Sequence, residues 1–408
     1  MTRPSVSVVV VSRDRPDALT RCIMGLSQVQ YDPFEIVVVA DPAGIEAVKK
    51  MACADDVKMV AFDQANISAA RNAGVVAAAG DVVAFIDDDA VPEPTWLHYL
   101  IAPFEQSDVA ASGGFVIGRN GISFQWKARL INALGHSEPI EVAEDKATVL
   151  RAPTGYAVKT EGTNMALRRD VLVELGGFDP AYHFYLDETD LNMRLARAGH
   201  ATAICPRAQV HHGFAASVRR RPDRAPSDLF DIGASWAVFA RKFIEDAAQD
   251  AHWKDVQSSE RKRLLSHMVA GRLEPRQVRY LMKRLRAGHA KGGVRPVGAN
   301  QVTRHASDGF KRFPVVARHT HFEQSTLRGA AAAREAAKVR VKNAQIVTLI
   351  ILSRTAMYHH VQFNPAGFWE QKGGQFGKSL RNERIFQWAT AKARTKKEME
   401  RVAIVRQV

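Results

Sequence analysis

The sequence predicts an α/β fold: a mostly parallel sheet with helices on both faces, followed by a basic, mainly helical extension. Three observations carry this reading. Short β-branched runs alternate with amphipathic stretches over residues 1–120. The fourth such run empties into three carboxylates, Asp87, Asp88 and Asp89. The charge then changes sign near residue 219.

Each element follows from its residues. Residues 6–11 are a β-branched run suited to a strand buried on both faces. Pro16 opens a helix to Ser27, with Leu19, Ile23 and Leu26 on one stripe. Residues 35–39 and 57–61 read as strands, with a helix over 45–53 between them. Residues 68–79 are Ala-rich and helical, stopped by Gly80, and 82–86 form the fourth strand. In such sheets ligands sit beyond the carboxyl ends of the strands. Ser12, Asp41 and Asp87 to Asp89 all fall at those ends, which predicts one shared crevice. From 112 to 169 the pattern loosens around glycines 113, 114, 118 and 121. Helical signals return over 164–175 and 188–198, each closed by glycine. Beyond a basic linker at 219–224, residues 231–246, 258–287 and 327–342 read as helices, and 291–324 as irregular.

The chain has 408 residues, enough for two domains. With 46% hydrophobic and 25% charged residues, its composition excludes disordered and fibrous classes. The net charge of +14 is unevenly spread. Through Arg219, 20 Lys and Arg face 27 Asp and Glu, a net of −7, which leaves +21 for the rest. A basic second half points to an anionic partner. Cys22, Cys53 and Cys205 are odd in number and far apart, so a reducing, cytoplasmic compartment is expected. The apolar start is too short for a signal peptide and reads as a first strand. No apolar run approaches the ~20 residues needed to cross a bilayer, so a soluble or surface-lying protein is expected.

Four constellations carry chemistry, and each has an ordinary explanation beside it. Three ionised carboxylates at a strand end raise one another's pKa unless a cation offsets them, and oxygen ligands suit Mg²⁺ or Mn²⁺; a solvated turn is the plain alternative. In "NISAARNAGVVAAAGD", Ser68 and Arg71 open a helix where an anion is favoured, or serve as a cap and a surface charge. In "YLDETDLNMRLARAGH", Asp187, Glu188 and Asp190 stand in a first helical turn, as dipole partners or with one acid as a general base. In "PRAQVHHGF", His211 and His212 follow a short β-like segment, where one imidazole could join a metal otherwise held by oxygens.

Taken together, "VSVVVVSRDRPDALTRCI", "SAARNAGVVAAAGDVVAFIDDD", "EGTNMALRRDVLVELGGFDPAY" and "LDETDLNMRLARAG" resemble the family 2 glycosyltransferases of the GT-A fold, over residues 6–243. The resemblance implies a Rossmann-like nucleotide-diphospho-sugar transferase domain over 1–219. Residues 1–120 would bind the nucleotide sugar and 121–219 the acceptor, with 220–408 as the basic helical region. It implies that Ser12, Asp41, Arg71, Asp87 and Asp88 surround the donor nucleotide. Asp89, Asp87 and His212 would hold Mn²⁺ or Mg²⁺, and Gly162, Asn164 and Asp190 would lie at the acceptor or donor sugar. The family usually has Glu-Asp where this chain has Asp187-Glu188, so alignment puts Glu188 at the catalytic base with Asp187 as rival. Asp41 is shifted by one from the family's usual Asp, with Ala40 intervening. The implied reaction is inverting transfer from a nucleotide-diphosphate sugar to a hydroxyl of a glycan or lipid-linked acceptor, in cell-surface polysaccharide or glycolipid assembly. Two alternatives are a nucleotidyltransferase, which wants a Gly-rich first loop that "VVSRDRPDA" lacks, and a non-catalytic carbohydrate- or surface-binding protein that keeps the fold.

The tail, "LSRTAMYHHVQFNPAGFWEQKGGQFGKS", interleaves Tyr358, Phe363, Phe368, Trp369 and Phe376 with Arg and Lys. Such a mixture suits an anionic membrane surface on the cytoplasmic side. It also suits nucleic acid, weighed below membrane because no recognised motif is present. The plain alternative is a helical annex that packs its aromatics on the first domain.

Overall fold

The computed structural model describes residues 3–213, 219–298 and 302–407. The chain begins β1 (Val6–Ser12), α1 (Pro16–Leu26), β2 (Phe34–Ala40), α2 (Pro42–Lys49), β3 (Val57–Ala61), α3 (Ile67–Ala77) and β4 (Val82–Asp87). Then come β5 (Ala90–Pro92), α4 (Trp96–Ile101) and the central strand β6 (Val109–Ile117). Five short strands follow: β7 (Phe124–Trp126), β8 (Arg129–Asn132), β9 (Ser137–Pro139), β10 (Thr148–Leu150) and β11 (Tyr156–Val158). β12 (Met165–Arg168), α5 (Arg169–Glu174), α6 (Asp187–Arg197) and β13 (Ala201–His212) complete the first half.

The main sheet runs β10-β13-β6-β12-β4-β1-β2-β3, with β5 on β13 and β7 on β6. β4, β1, β2 and β3 are parallel, and β12 lies antiparallel between β4 and β6. Period-2 alternation explains its two cores. Val8, Val10, Ile36, Val38, Ala84 and Ile86 point to one face, where α1 and α4 cover them. Val9, Val37, Val39, Val83 and Phe85 point to the other, beneath α3, α5 and α6. α3 lies so close to β1 that a Cβ at Gly74 would stand 2.4 Å from Val9 Cγ1. The register pairs Val11 with Asp87 and Ser12 with Ala40, so the ends of β1, β2 and β4 lie side by side.

Three expectations needed revision. Residues 165–168 are a strand rather than the start of a helix, because Met165 to Leu167 fill the slot between β4 and β6. Tertiary pairing overrides local helical propensity there. The second half is helical through α7 (Phe230–Phe243), α8 (Asp246–Val269) and α9 (Pro275–Gly293), so the helix expected over 258–287 is two, broken at a turn where Gly271 has left-handed backbone. Past these it carries β14 (His319–Thr326), α10 (Ala330–Lys342), β15 (Gln345–Ser353), β16 (His360–Asn364), β17 (Phe368–Gly374) and α11 (Ala391–Arg406). The four strands form a separate sheet, β14-β15-β17-β16, that was not anticipated. Its β15 is buried from Ile346 to Ser353 and apolar over Ile346 to Leu352 but for Thr348, so it lacks the alternation that marks a half-exposed strand. Among the described residues no helix is long and apolar enough to cross a membrane.

This second sheet docks on the first through a buried ion pair. Arg406 donates to both Glu93 carboxylate oxygens, at 2.8 and 2.7 Å, and its guanidinium lies 4.1 Å from the Trp369 ring centre. His211 reaches the same carboxylate at 2.7 Å. The Thr95 hydroxyl donates to the Val405 carbonyl at 2.9 Å, and the Val361 N–H to the Asn120 carbonyl at 2.8 Å. Burial opposes ionisation of Glu93, but Arg406 and His211 outweigh it and hold the carboxyl down at about 2.

Arg406→Ala strands a buried carboxylate and is expected to destabilise by about 3–5 kcal/mol in chemical denaturation, with Glu93→Gln/Arg406→Met recovering part of the loss. The sign of the pH effect follows from the depressed carboxyl. The pair's contribution is complete above 4.5, the ordinary value, and is lost as pH falls through about 2. A wild-type stability curve over that window, compared with the double variant, checks it.

Candidate active site

β4 delivers Asp87 to the shared carboxyl end of β1, β2 and β4, and the turn after it sends Asp88 and Asp89 in different directions. Asp88 is fully buried; its Oδ2 accepts from the Ser12 hydroxyl at 2.7 Å, and its Oδ1 pairs with Arg15 at 2.9 Å. Burial pushes its carboxyl up to about 7 against the pull of Arg15. Asp89 faces His212, whose Nε2 stands 3.2 Å from Asp89 Oδ1 and 3.9 Å from Asp87 Oδ2. Antiparallel pairing of β13 with β5 sets His212 opposite Ala90, and the Gly213 N–H donates to the Asp89 carbonyl at 2.8 Å. The strand that carries the histidine is thereby stitched to the aspartate turn.

Asp87, Asp89 and His212 each offer one ligand atom, all within 4.8 Å of one another. Two carboxylates and an imidazole fit a divalent cation, and the oxygen majority fits Mn²⁺ or Mg²⁺. His212 titrates above its ordinary value; burial opposes this, but Asp89 and Asp87 outweigh it. The same two carboxylates would favour a metal cation, which competes with that proton for the imidazole.

Arg71 joins this cluster to a second acidic group. It leaves the second turn of α3, is buried, and pairs with Asp87 at 3.4 Å and with Asp187 in a closer contact. Its guanidinium lies 5.3 Å from the Phe178 ring centre. Gly162 leaves room for it, since a Cβ there would stand 2.4 Å from a guanidinium nitrogen. Asp187 and Glu188 open α6 after two residues with left-handed backbone, Tyr185 and Leu186. Glu188 pairs with Lys159 at 3.3 Å, and Lys159 with Glu161 at 3.0 Å. Burial raises Asp187 despite Arg71. Burial would raise Glu188 too, but Lys159 and Arg71 hold it below its usual range.

The remaining expected residues spend their polar atoms on the protein. Asp41 caps α2 by accepting from the Gly44 N–H at 3.0 Å, and it accepts from the Asp14 N–H at 3.1 Å. It thus ties down the loop after β1. Asn164 accepts from the Trp96 indole at 2.8 Å and donates to the carbonyls of Ala208 and Phe115 at 2.8 and 3.0 Å. Asp190 is fully buried against Arg194, at 2.7 Å, and Lys242, so it ties α6 to α7. Arg15, Lys159 and Glu161 were missed. Arg15 sits in a charged turn, "SRDRP", where an ordinary surface role reads the same, and Lys159 lies in the aperiodic stretch.

The sequence profile described as "Glycosyltransferase like family 2" matches residues 4–224. The chain is 29% identical over 193 residues to the glucosyl-dolichyl phosphate glucuronosyltransferase of Haloferax volcanii, covering 43% of this chain and 55% of that protein. It is 25% identical over 260 residues to the O-antigen biosynthesis protein RfbC of Myxococcus xanthus, covering 58% of this chain and 19% of that one. It therefore spans only part of the length of these relatives. A solved mannosyltransferase of Pyrobaculum calidifontis, in complex with GDP-Man and Mn²⁺, superposes with a TM-score of 0.45 at 16% identity, over 72% of this chain and 88% of that one. The profile covers more than half of the chain, and the chain belongs to the glycosyltransferase-like family 2.

Proposed function

We propose that the protein is an inverting, metal-dependent glycosyltransferase that moves a sugar from a nucleotide-diphosphate donor to an acceptor hydroxyl. One observation carries this reading. A cluster of candidate cation ligands, Asp87, Asp89 and His212, is joined through one buried arginine to a separate carboxylate pair, Asp187 and Glu188. Asp87, Asp89 and His212 would hold Mn²⁺ or Mg²⁺, which offsets charge on the departing diphosphate when bound. Ser12, Asp41 and Asp88 shape the loop that faces the nucleotide.

Glu188 is the base. It is the more exposed of the pair, at 16% of its side chain against 3% for Asp187. Lys159 keeps it ionised at neutral pH, whereas Asp187 is engaged with Arg71. The Glu188 carboxylate takes the acceptor proton as the hydroxyl oxygen attacks the anomeric carbon, and the bond from that carbon to the diphosphate breaks on the opposite face. Asp187 and Arg71 keep the base oriented and set its distance from Asp87.

The acceptor we favour is lipid-linked, presented at an anionic membrane surface on the cytoplasmic side and met through the basic second half. The name of the Haloferax relative specifies a dolichyl phosphate lipid, which supports that choice.

Asp89→Ala is expected to abolish both transfer and Mn²⁺-dependent thermal stabilisation by UDP or GDP; persistence of either would remove the metal role. Glu188→Gln is expected to lower kcat by about 10²- to 10⁴-fold with donor affinity retained, as for loss of a general base. Because Glu188 must be ionised, the acid limb of the rate profile should lie below its ordinary value of 4.5. Lys159→Met removes the neighbouring cation and should move that limb to higher pH, which a kcat/KM profile reads directly.

A further inference from the structure

We propose that the loops at one end of the second sheet form an insertion face for an anionic lipid bilayer, placed beside the mouth of the active site. The proposal rests on the lipid-linked acceptor reading for its purpose and on separate residues for its evidence.

Three segments meet at the carboxyl ends of β15 and β17. The Gly374 N–H donates to the Met357 carbonyl at 2.9 Å, and the Phe376 N–H to the Thr355 carbonyl at 3.1 Å. The His359 N–H donates to the Lys378 carbonyl at 3.0 Å, and the Gln387 N–H to the Phe376 carbonyl at 2.9 Å. Phe376 stacks on Phe386 and Trp388, with ring centres 5.4 and 5.2 Å apart. This bonded platform leaves large apolar side chains in water: Trp388 is 83% exposed and Ile385 63%, with Phe386, Tyr358 and Met357 beside them. Other tail aromatics took the plainer course, since Phe363, Phe368 and Trp369 are buried in the fold. The exposed set is therefore a local feature and not a general property of the tail.

Charge frames the same face. Residues 354–401 hold ten Lys and Arg against four Glu. Arg354, Arg381, Arg384 and Lys392 are exposed, and the Lys378 ammonium lies 5.0 Å from the Tyr358 ring centre. The acids are tied up: Glu383 pairs with Lys397, Glu370 with Arg334, Glu398 with Arg394 and Arg401, and Glu400 with Lys396. Aromatic and aliphatic tips rimmed by cations match the bilayer boundary, where apolar groups enter the acyl region and Lys and Arg meet anionic headgroups. Ile385 and Met357 favour lipid over nucleic acid, because an aliphatic side chain offers no ring for a base to stack on.

The position also fits. Three residues after Met357, the His360 imidazole bonds the Arg119 carbonyl at 3.0 Å, and the Val361 N–H bonds Asn120. That loop leaves β6 at Ile117, which pairs with His211, the neighbour of His212. The face and the cation-binding cluster therefore share one end of the molecule.

Co-sedimentation of the full chain with vesicles tests this without donor or acceptor. The chain should pellet with phosphatidylcholine vesicles containing phosphatidylglycerol, stay in solution with phosphatidylcholine alone, and be released by high salt. Ile385→Ser/Trp388→Ser and Arg381→Glu/Arg384→Glu should each weaken vesicle binding by about tenfold or more. Both variants should keep wild-type thermal midpoints and wild-type Mn²⁺-dependent stabilisation by UDP or GDP. The proposal is overturned if the chain ignores anionic vesicles, or if neither double variant weakens binding. Tighter binding to a single-stranded oligonucleotide than to the vesicles would also overturn it. So would conversion of an oligomer to a monomer by Ile385→Ser/Trp388→Ser in vesicle-free buffer. Failure of the transferase reading would appear instead in the nucleotide and transfer assays.

Discussion

The site depends on one buried guanidinium. Arg71 stands between Asp87 at the end of β4 and Asp187 at the start of α6, so two acidic groups far apart in sequence converge without repelling each other apart. Like charges about 4 Å apart repel by roughly 1 kcal/mol in water and several times that in a partly buried setting. The fold answers each acid with a cation: Arg15 for Asp88, Arg71 for Asp87 and Asp187, and Lys159 for Glu188 and Glu161. Asp89 and Asp87 share His212, itself a candidate ligand. The pattern assigns different work to neighbouring carboxylates. Asp88 and Asp187 are the most enclosed and lie on Arg15 and Arg71, whereas the Glu188 side chain, on Lys159, keeps 16% exposure.

The same logic joins the two halves. Glu93 follows β5 directly and lies beside the strand that carries His212, and Arg406 comes from the last turn of α11. Their ion pair is fully buried and closed by Trp369 and His211. Burying two charges is costly unless the geometry is close and the remaining hydrogen-bonding groups are satisfied. Here the geometry is bidentate and His211 shares the carboxylate. The second sheet thus props β13 from outside and keeps His212 against the aspartate turn. The loops at the carboxyl ends of β15 and β17 hold out Trp388 and Ile385, so one element supports the site and presents the proposed lipid face.

The elements of the first sheet were legible because buried parallel strands are continuous β-branched runs, as in residues 6–11 and 35–39. The acidic turn was legible for a related reason: three carboxylates after such a run need an explanation. β12 was misread because its placement depends on two flanking strands, and local propensity does not contain them. Lys159 was not found because the stretch around it has no periodicity, and its partners come from α6 and from Glu161. The second sheet was hidden because β15 is apolar from Ile346 to Leu352 but for Thr348, which blurs the strand alternation, and because its aromatics read equally as a lipid-facing surface or as a helical annex packed on the first domain.

By itself, the sequence determined the alternating architecture, the strand ends where a ligand would sit, the acidic groups in play and the uneven charge of the two halves. Those properties are local: they follow from side-chain period, burial and composition along short stretches. Tertiary structure alone decided how each acid is partnered, because its cations are delivered from elsewhere in the chain. It sent Asp88 inward to Ser12 and Arg15, spent Asp190 on Arg194 and Lys242, and left Glu188 the less enclosed of its pair. A carboxylate's role is set by the charges around it, and those are known only once the chain has folded.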